Sequence, residues 1–167
     1  MEFFIRPTVE SDMPVINHYI NKYGLDNENL DYCQFLTAEV ENELAGFGRI
    51  KQYCPNEDLN KNLKECELHK GGDCHHIYEL ASIGVVKKFR KNHIGKKLIL
   101  TLLYNCRAEE IWLTTIIPEY FKQFGFKEED NIPDEILLKC GRVCEKLNKT
   151  TQNSHYMCLK KLNLTIK

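Results

Sequence analysis

The chain predicts a mixed α/β fold, one central sheet carrying helices on both faces. Three observations lead there. Apolar runs of strand length alternate along the chain with segments that repeat at helical period. The run "IYELASIGVV" at 77–86 has the composition of a strand buried in the middle of a sheet. From His93 to about Arg107, Ile94, Leu98, Ile99, Leu102, Leu103 and Cys106 form a wide apolar stripe.

The elements follow in order. Residues 3–7 read as a first strand. Ser11, Asp12 and Pro14 open a helix that carries Val15, Ile16, Tyr19 and Ile20 at helical spacing and stops at Gly24. "LDNENLDY" is polar and turn-rich, a loop or short helix. "FLTAEVE" and "LAGFGRIKQY" are strand-like runs, with Asn42 and Glu43 between them as a hairpin signal. Residues 54–76 are polar, contain Pro and Gly-Gly and lack periodicity, which marks a surface insertion. "IWLTT" is a short buried-type strand. "PEYFKQFG" is a helix begun by Pro118 and stopped by Gly125. "IPDEILLKCGRVCEKL" is a late helix, and "HYMCLKKL" closes the sheet.

With 167 residues the chain suffices for a single domain spanning 1–167. A net charge of -1 argues against a nucleic-acid partner, since such domains are usually basic. No apolar run approaches the roughly 20 residues of a membrane span, so no membrane partner is expected. The start "MEFFIRPTVESD" lacks the basic and apolar regions of a signal peptide. Eight cysteines in a chain of this size read as reduced thiols, and the expected location is cytoplasmic.

The informative unit is strand, turn and helix: "IYELASIGVV", "KKFRKN", "HIGKKLILTLLYNC". A glycine-containing turn at the head of a long helix presents unpaired N–H groups and the positive end of the helix dipole. Lys87, Lys88, Arg90, Lys91, Lys96 and Lys97 surround it. Alone, such a cluster is usually a solvated face; between a buried strand and a helix start it favours a phosphate site.

"ELASIGVVKKFRKNHIGKKLI" resembles the acetyl-CoA signature of the GNAT superfamily of N-acyltransferases, whose turn reads Arg/Gln-x-x-Gly-x-Gly/Ala. Arg90 matches the first position and Gly95 the last, while His93 replaces the middle glycine. "PEYFKQFGF" resembles that family's later Phe-Tyr-x-x-x-Gly-Phe helix end, and "FFIRPTVESDMPVI" its usual first strand and helix. The resemblance covers almost the whole chain apart from 54–76. It implies a mostly antiparallel sheet, splayed between strands 4 and 5, and an enzyme that uses acetyl-CoA as co-substrate.

It also implies roles. Backbone groups at Ile83, Gly84 and Val85 bond the pantetheine arm. The N–H groups of Arg90, Lys91, Asn92, His93, Ile94, Gly95 and Lys96 hold the pyrophosphate. Because main chain does this work, His93 is tolerated if its backbone is helical, as expected at the start of a helix. Acetyl transfer to an amine needs a base for the ammonium proton and an acid for the thiolate. Glu79 is the candidate base. Strict alternation puts it on one face with Ile77, Ala81, Ile83 and Val85, company that raises a carboxylate pKa. An ion-paired structural glutamate is the competing reading. Phe121 falls where the family has its usual tyrosine and cannot donate a proton. Tyr120, about 100° round the helix, is the candidate acid.

The tail, with Phe121, is similar to amino-acid N-acetyltransferases grouped with N-acetylglutamate synthase. The resemblance thus points to a primary amine of a small molecule, an amino acid among the options, attacking directly in a ternary complex. Arg49 would pair with a substrate carboxylate or serve in a structural salt bridge. A catalytically degenerate acyl-CoA-binding module and a protein N-acetyltransferase are the alternatives, and a homodimer is left open as an assembly. Cys66, His69, Cys74, His75 and His76 lie close together, but their spacing matches no standard ligand pattern, so no metal is expected. Cys140 and Cys144 share one helix face as small buried residues.

Overall fold

The computed structural model describes residues 1–53 and 76–161. The insertion, and with it Cys66, His69, Cys74 and His75 of the candidate metal cluster, lies outside the described residues. Strands are β1 (Phe4–Pro7), β2 (Phe35–Val40), β3 (Glu43–Tyr53), β4 (Ile77–Val85), β5 (Glu110–Thr115), β6 (Lys127–Glu128) and β7 (His155–Lys160). Helices are α1 (Met13–Tyr23), α2 (Ile94–Asn105), α3 (Pro118–Lys122) and α4 (Asp134–Lys146). The strands form one sheet in the order β1-β2-β3-β4-β5-β7-β6. Every described pairing is antiparallel except β4 with β5. Among the described residues no helix is long and apolar enough to cross a membrane.

Two apolar layers sandwich the sheet. On one face Ile99, Leu102 and Leu103 of α2 and Phe121 of α3 pack on Leu80, Ile111, Leu113 and Met157, and Ile94 and Leu98 of α2 pack with Ala38, Val40 and Ala45. On the other, Ile16 and Ile20 of α1 cover Phe35 and Phe47, and Ile136 of α4 covers Tyr53, Trp112 and Cys158. Ile16 and Ile20, one turn apart, are fully buried, which is why the α1 stripe was readable in sequence. Gly24 ends α1 in the left-handed conformation, as its position predicts. The hairpin turn sits one residue earlier than expected, at Glu41 and Asn42, both at positive φ as a two-residue turn requires. The pairing of β6 with β7 completes the sheet, and no period marks so short a strand in sequence.

The alternation expected along β4 breaks at Ser82, which has φ 51°. Between the pairs Arg49↔Ala81 and Phe47↔Gly84 the register shifts, so β4 holds one extra residue, a bulge. Before the bulge Glu79 faces α4 and Leu80 faces α2. After it, Ile83 and Val85 join the α2 side, packed on Leu102 and with Ile94 and Leu98. Glu79 therefore does not share a face with Ile83 and Val85. An inserted residue reverses every side chain that follows it.

Arg49 holds the bulge in place. Its side chain is fully buried, and Nε donates to Ser82 Oγ at 3.2 Å. Nη1 donates to the Asn29 carbonyl (3.0 Å) and Nη2 to that of Glu28 (2.9 Å). Ser82 Oγ donates in turn to the Asp26 carbonyl at 2.7 Å. The loop after α1 is thus tied to the middle of the sheet by one guanidinium, which is the structural role and not the substrate-carboxylate one. Replacing Arg49 by Met strands the Glu28 and Asn29 carbonyls and takes from the Asp26 carboxylate one of its cations, 3.2 Å away. Denaturant unfolding should show a loss of about 3–5 kcal/mol.

Candidate active site

β4 and β5 share a single register pair, Glu79↔Trp112. β4 continues to Val85, paired with β3 along its other edge. Beyond Glu79 the two parallel strands form a fork, and among the described residues no strand pairs with the inner edge of β4 at Ile83, Gly84 and Val85. Gly84 is required here by packing. A Cβ would fall 2.4 Å from the Phe47 ring, which fills the space beneath the strand. The Val85 carbonyl accepts from Arg90 Nε at 3.1 Å.

The chain leaves the fork through a 3₁₀ turn at Lys87–Phe89 and enters α2. Asn92 braces the connection, its Nδ2 donating to the carbonyls of Phe89 (3.1 Å) and Arg90 (3.3 Å). Lys91 (φ 69°) and His93 (φ 60°) are both left-handed. The helical backbone expected for His93 is therefore corrected. It is the N-cap, and its carbonyl accepts the first helical bond, from Lys97 N at 3.0 Å. The position keeps the conformation that glycine favours, and histidine is among the residue types that tolerate it best. The N–H groups of Ile94, Gly95 and Lys96 open α2 with no acceptor one turn back, at the positive end of its dipole. A Cβ on Gly95 would lie 3.2 Å from Val85 Cγ2, so a small residue lets this end of the helix seat on β4. Unpaired N–H groups, an open strand edge and exposed Lys87, Lys91 and Lys96 fit an elongated ligand carrying phosphates.

At the crotch of the fork Glu79 is 1% exposed. Its Oε2 accepts from Tyr53 Oη at 2.6 Å, and its Oε1 from Lys139 Nζ at 2.6 Å and Thr114 Oγ1 at 3.1 Å. The surroundings are polar on three sides, not the aliphatic company that strict alternation implied.

Residues 3–126 match the acetyltransferase (GNAT) family. The chain belongs to that family. No curated protein matches it in sequence. Among solved structures it is similar to N-acetylglutamate synthase from Neisseria gonorrhoeae, complexed with coenzyme A and N-acetyl-glutamate. The TM-score is 0.65 at 15% identity, over 98% of this chain and 36% of the synthase, so the chain spans about a third of that protein. Rv2747 from Mycobacterium tuberculosis, in complex with CoA, gives a TM-score of 0.65 at 18% identity over 95% of this chain and 99% of the other. NAA60 from Arabidopsis thaliana, in complex with a bisubstrate analogue, gives 0.58 at 14% identity over 96% and 98%.

In this acetyltransferase the sequence-derived residues gather at the fork. Ile83, Gly84 and Val85 line its edge, Arg90 to Lys96 wrap the head of α2, and Glu79 sits at its base. Phe121 is buried in the core against Phe124 and Phe126. Tyr120 is half-exposed, and its hydroxyl lies 3.7 Å from where a Gly95 side chain would begin. The phenol therefore reaches the first turn of α2 beside Val85. Burial raises its pKa, so it holds its proton through neutrality.

Sequence reasoning missed the charges behind Glu79. Asp26, Arg49, Lys51 and Lys139 are all buried. Lys51 Nζ donates to Asp26 Oδ2 at 3.0 Å. Burial opposes ionisation of Asp26, but Lys51, Arg49 and Lys139 outweigh it and hold that carboxyl below its ordinary value. At Lys139 burial disfavours the ammonium, and Glu79 and Asp26 more than compensate, raising its pKa. At Lys51 burial, aided by the like charge of Arg49, prevails over Asp26 and lowers it. Glu28 accepts from Arg142 Nε and Nη2 at 3.0 and 2.9 Å, joining the loop to α4. One signal was available for Lys139: it interrupts the stripe Ile136, Cys140, Val143 at helical spacing, the side of α4 that turns inward.

The backbone at His93 makes its side chain a sensitive position. His93→Gly relieves left-handed strain and should leave thermal stability equal or slightly raised. A β-branched His93→Val, at a φ such residues avoid, should lose about 1–2 kcal/mol. Equal melting temperatures for the two variants would show that the turn is not left-handed in solution.

Proposed function

We propose that this acetyltransferase moves an acetyl group from acetyl-CoA to a primary amine of a small molecule, an amino acid in class, by direct attack within a ternary complex. The observation that carries this is the Glu79 carboxylate at the crotch of the fork, on the α1 and α4 face, with the Tyr120 hydroxyl at the α2 side. Acetyl-CoA supplies the thioester. The N–H groups of residues 91–96 and the edge of β4 at Ile83, Gly84 and Val85 orient it, while the Arg90 N–H, expected among them, donates to the Lys87 carbonyl at 3.3 Å. Glu79 removes the ammonium proton of an amine arriving on its own face, directly or through one water. Tyr120 donates its phenolic proton to the departing thiolate on the other, and the second proton lost by the acylated nitrogen returns to the phenolate through solvent. The N-acetylglutamate synthase with bound N-acetyl-glutamate supports an amino-acid acceptor.

Thiol release measured with acetyl-CoA against a panel of amino acids, small amines and peptides tests the reading. Turnover should saturate with a small amine. Glu79→Gln should lower kcat by about 10²–10⁴-fold while acetyl-CoA still binds, and Tyr120→Phe should lower it less, since solvent can protonate a thiolate. Tight acetyl-CoA binding without turnover on any amine would instead make the chain a binding module.

A further inference from the structure

The helix α4 is turned the unexpected way for its composition. Leu137 and Leu138 are 39% and 53% exposed, whereas Lys139 is 5% exposed and points under the fork. This helix lies beyond residue 126, where the family match ends, so the match assigns it no role. Burying an ammonium against a carboxylate gives little net stability over an apolar pair of similar volume, because both ions lose their hydration. Fold stability alone does not account for a lysine there.

Resting on the reading of Glu79 as base, we infer that Lys139 is a positioning residue for the acceptor half of the reaction. Its ammonium fixes Oε1 of the Glu79 carboxylate through a 2.6 Å hydrogen bond. Three elements fasten that carboxylate: Tyr53 from β3, Thr114 from β5 and Lys139 from α4. Tyr53 and Thr114 are neutral donors. Lys139 brings the formal charge in contact with Glu79. The other charged groups nearby are Arg49 and Lys51 on β3, both turned to Asp26 from the loop after α1. The Cys140 thiol lies beside Lys139 on α4. When Glu79 takes the proton of the acceptor ammonium, Lys139 retains its own. The proton then passes on to solvent, which restores the base.

The test compares Lys139→Met, Lys139→Gln and Lys139→Arg with Glu79→Gln, reading kcat, the acetyl-CoA KM, the pH profile and thermal unfolding on the same samples. Lys139→Met should lower kcat about ten- to a hundredfold with the acetyl-CoA KM within about twofold of the parent. Removing the charge in contact with the carboxylate should move the acid limb of the kcat profile. Lys139→Arg should recover most of the loss and return the limb. Lys139→Gln, which keeps a polar contact without charge, gives the same reading should the methionine variant not fold. If the uncharged variants keep the parent acid limb, or lose activity only as folded protein is lost, Lys139 is a packing residue and the inference is overturned. A fully active Glu79→Gln would instead remove the base itself, and with it the ground for Lys139.

Discussion

The bulge at Ser82 is the constraint on which the site depends. One residue at φ 51° in the middle of β4 lets the first half of the strand present Glu79 to α4, and the second half present Ile83 and Val85 to α2. A regular strand would keep Glu79 on one face with Ile83 and Val85, and carboxylate and ligand edge could not then serve opposite sides of the fork. A left-handed non-glycine residue inside a sheet carries strain, so it persists only where its surroundings over-determine it. They do so here through the Ser82 hydroxyl on the Asp26 carbonyl and the buried Arg49 guanidinium that spans bulge and loop.

The buried charges follow from the same arrangement. Arg49, Lys51 and Lys139 meet Asp26 and Glu79 in a region from which water is largely excluded, and Glu28 extends the group to Arg142 and Lys146 near the surface. Each ion gives up hydration, so partners must be close and well oriented for the group to break even. Two segments far apart in the chain are joined by it, the loop after α1 and the helix α4, both on the face where the acceptor would enter. Packing density alone could have joined them with apolar side chains. Ionic joints instead leave a defined field at the crotch of the fork.

At the ligand end, backbone geometry and side-chain identity part company. Arg90 and Gly95 stand where the resemblance needs them, and the seating of Gly95 on Val85 explains the small residue. His93 breaks the pattern in sequence but keeps its backbone conformation, which is the feature the turn uses. The exchanged order of Tyr120 and Phe121 is resolved by the core. Phe121 joins an aromatic cluster with Phe124 and Phe126, and the half-exposed neighbour carries its hydroxyl to the head of α2. A helical wheel separates the two by about 100°, yet a short helix whose C-terminal end is pinned in the core can aim the second ring at the site.

By itself the sequence determined the succession of strands and helices, the strand, turn and helix with Arg90 and Gly95, the kinship to acetyltransferases, and Glu79 and Tyr120 as residues worth weighing. Those features are written in periodicity and turn chemistry over spans of ten to twenty residues, where local forces decide. Tertiary structure alone decided which face Glu79 occupies, that His93 is left-handed, that Arg49 serves the loop, and that Lys139, 60 positions away in sequence, meets Glu79. None of these has a local signature that settles it. A backbone dihedral at a bulge is chosen by the hydrogen bonds that surround it, and a buried charge is placed by the partner that makes its burial tolerable.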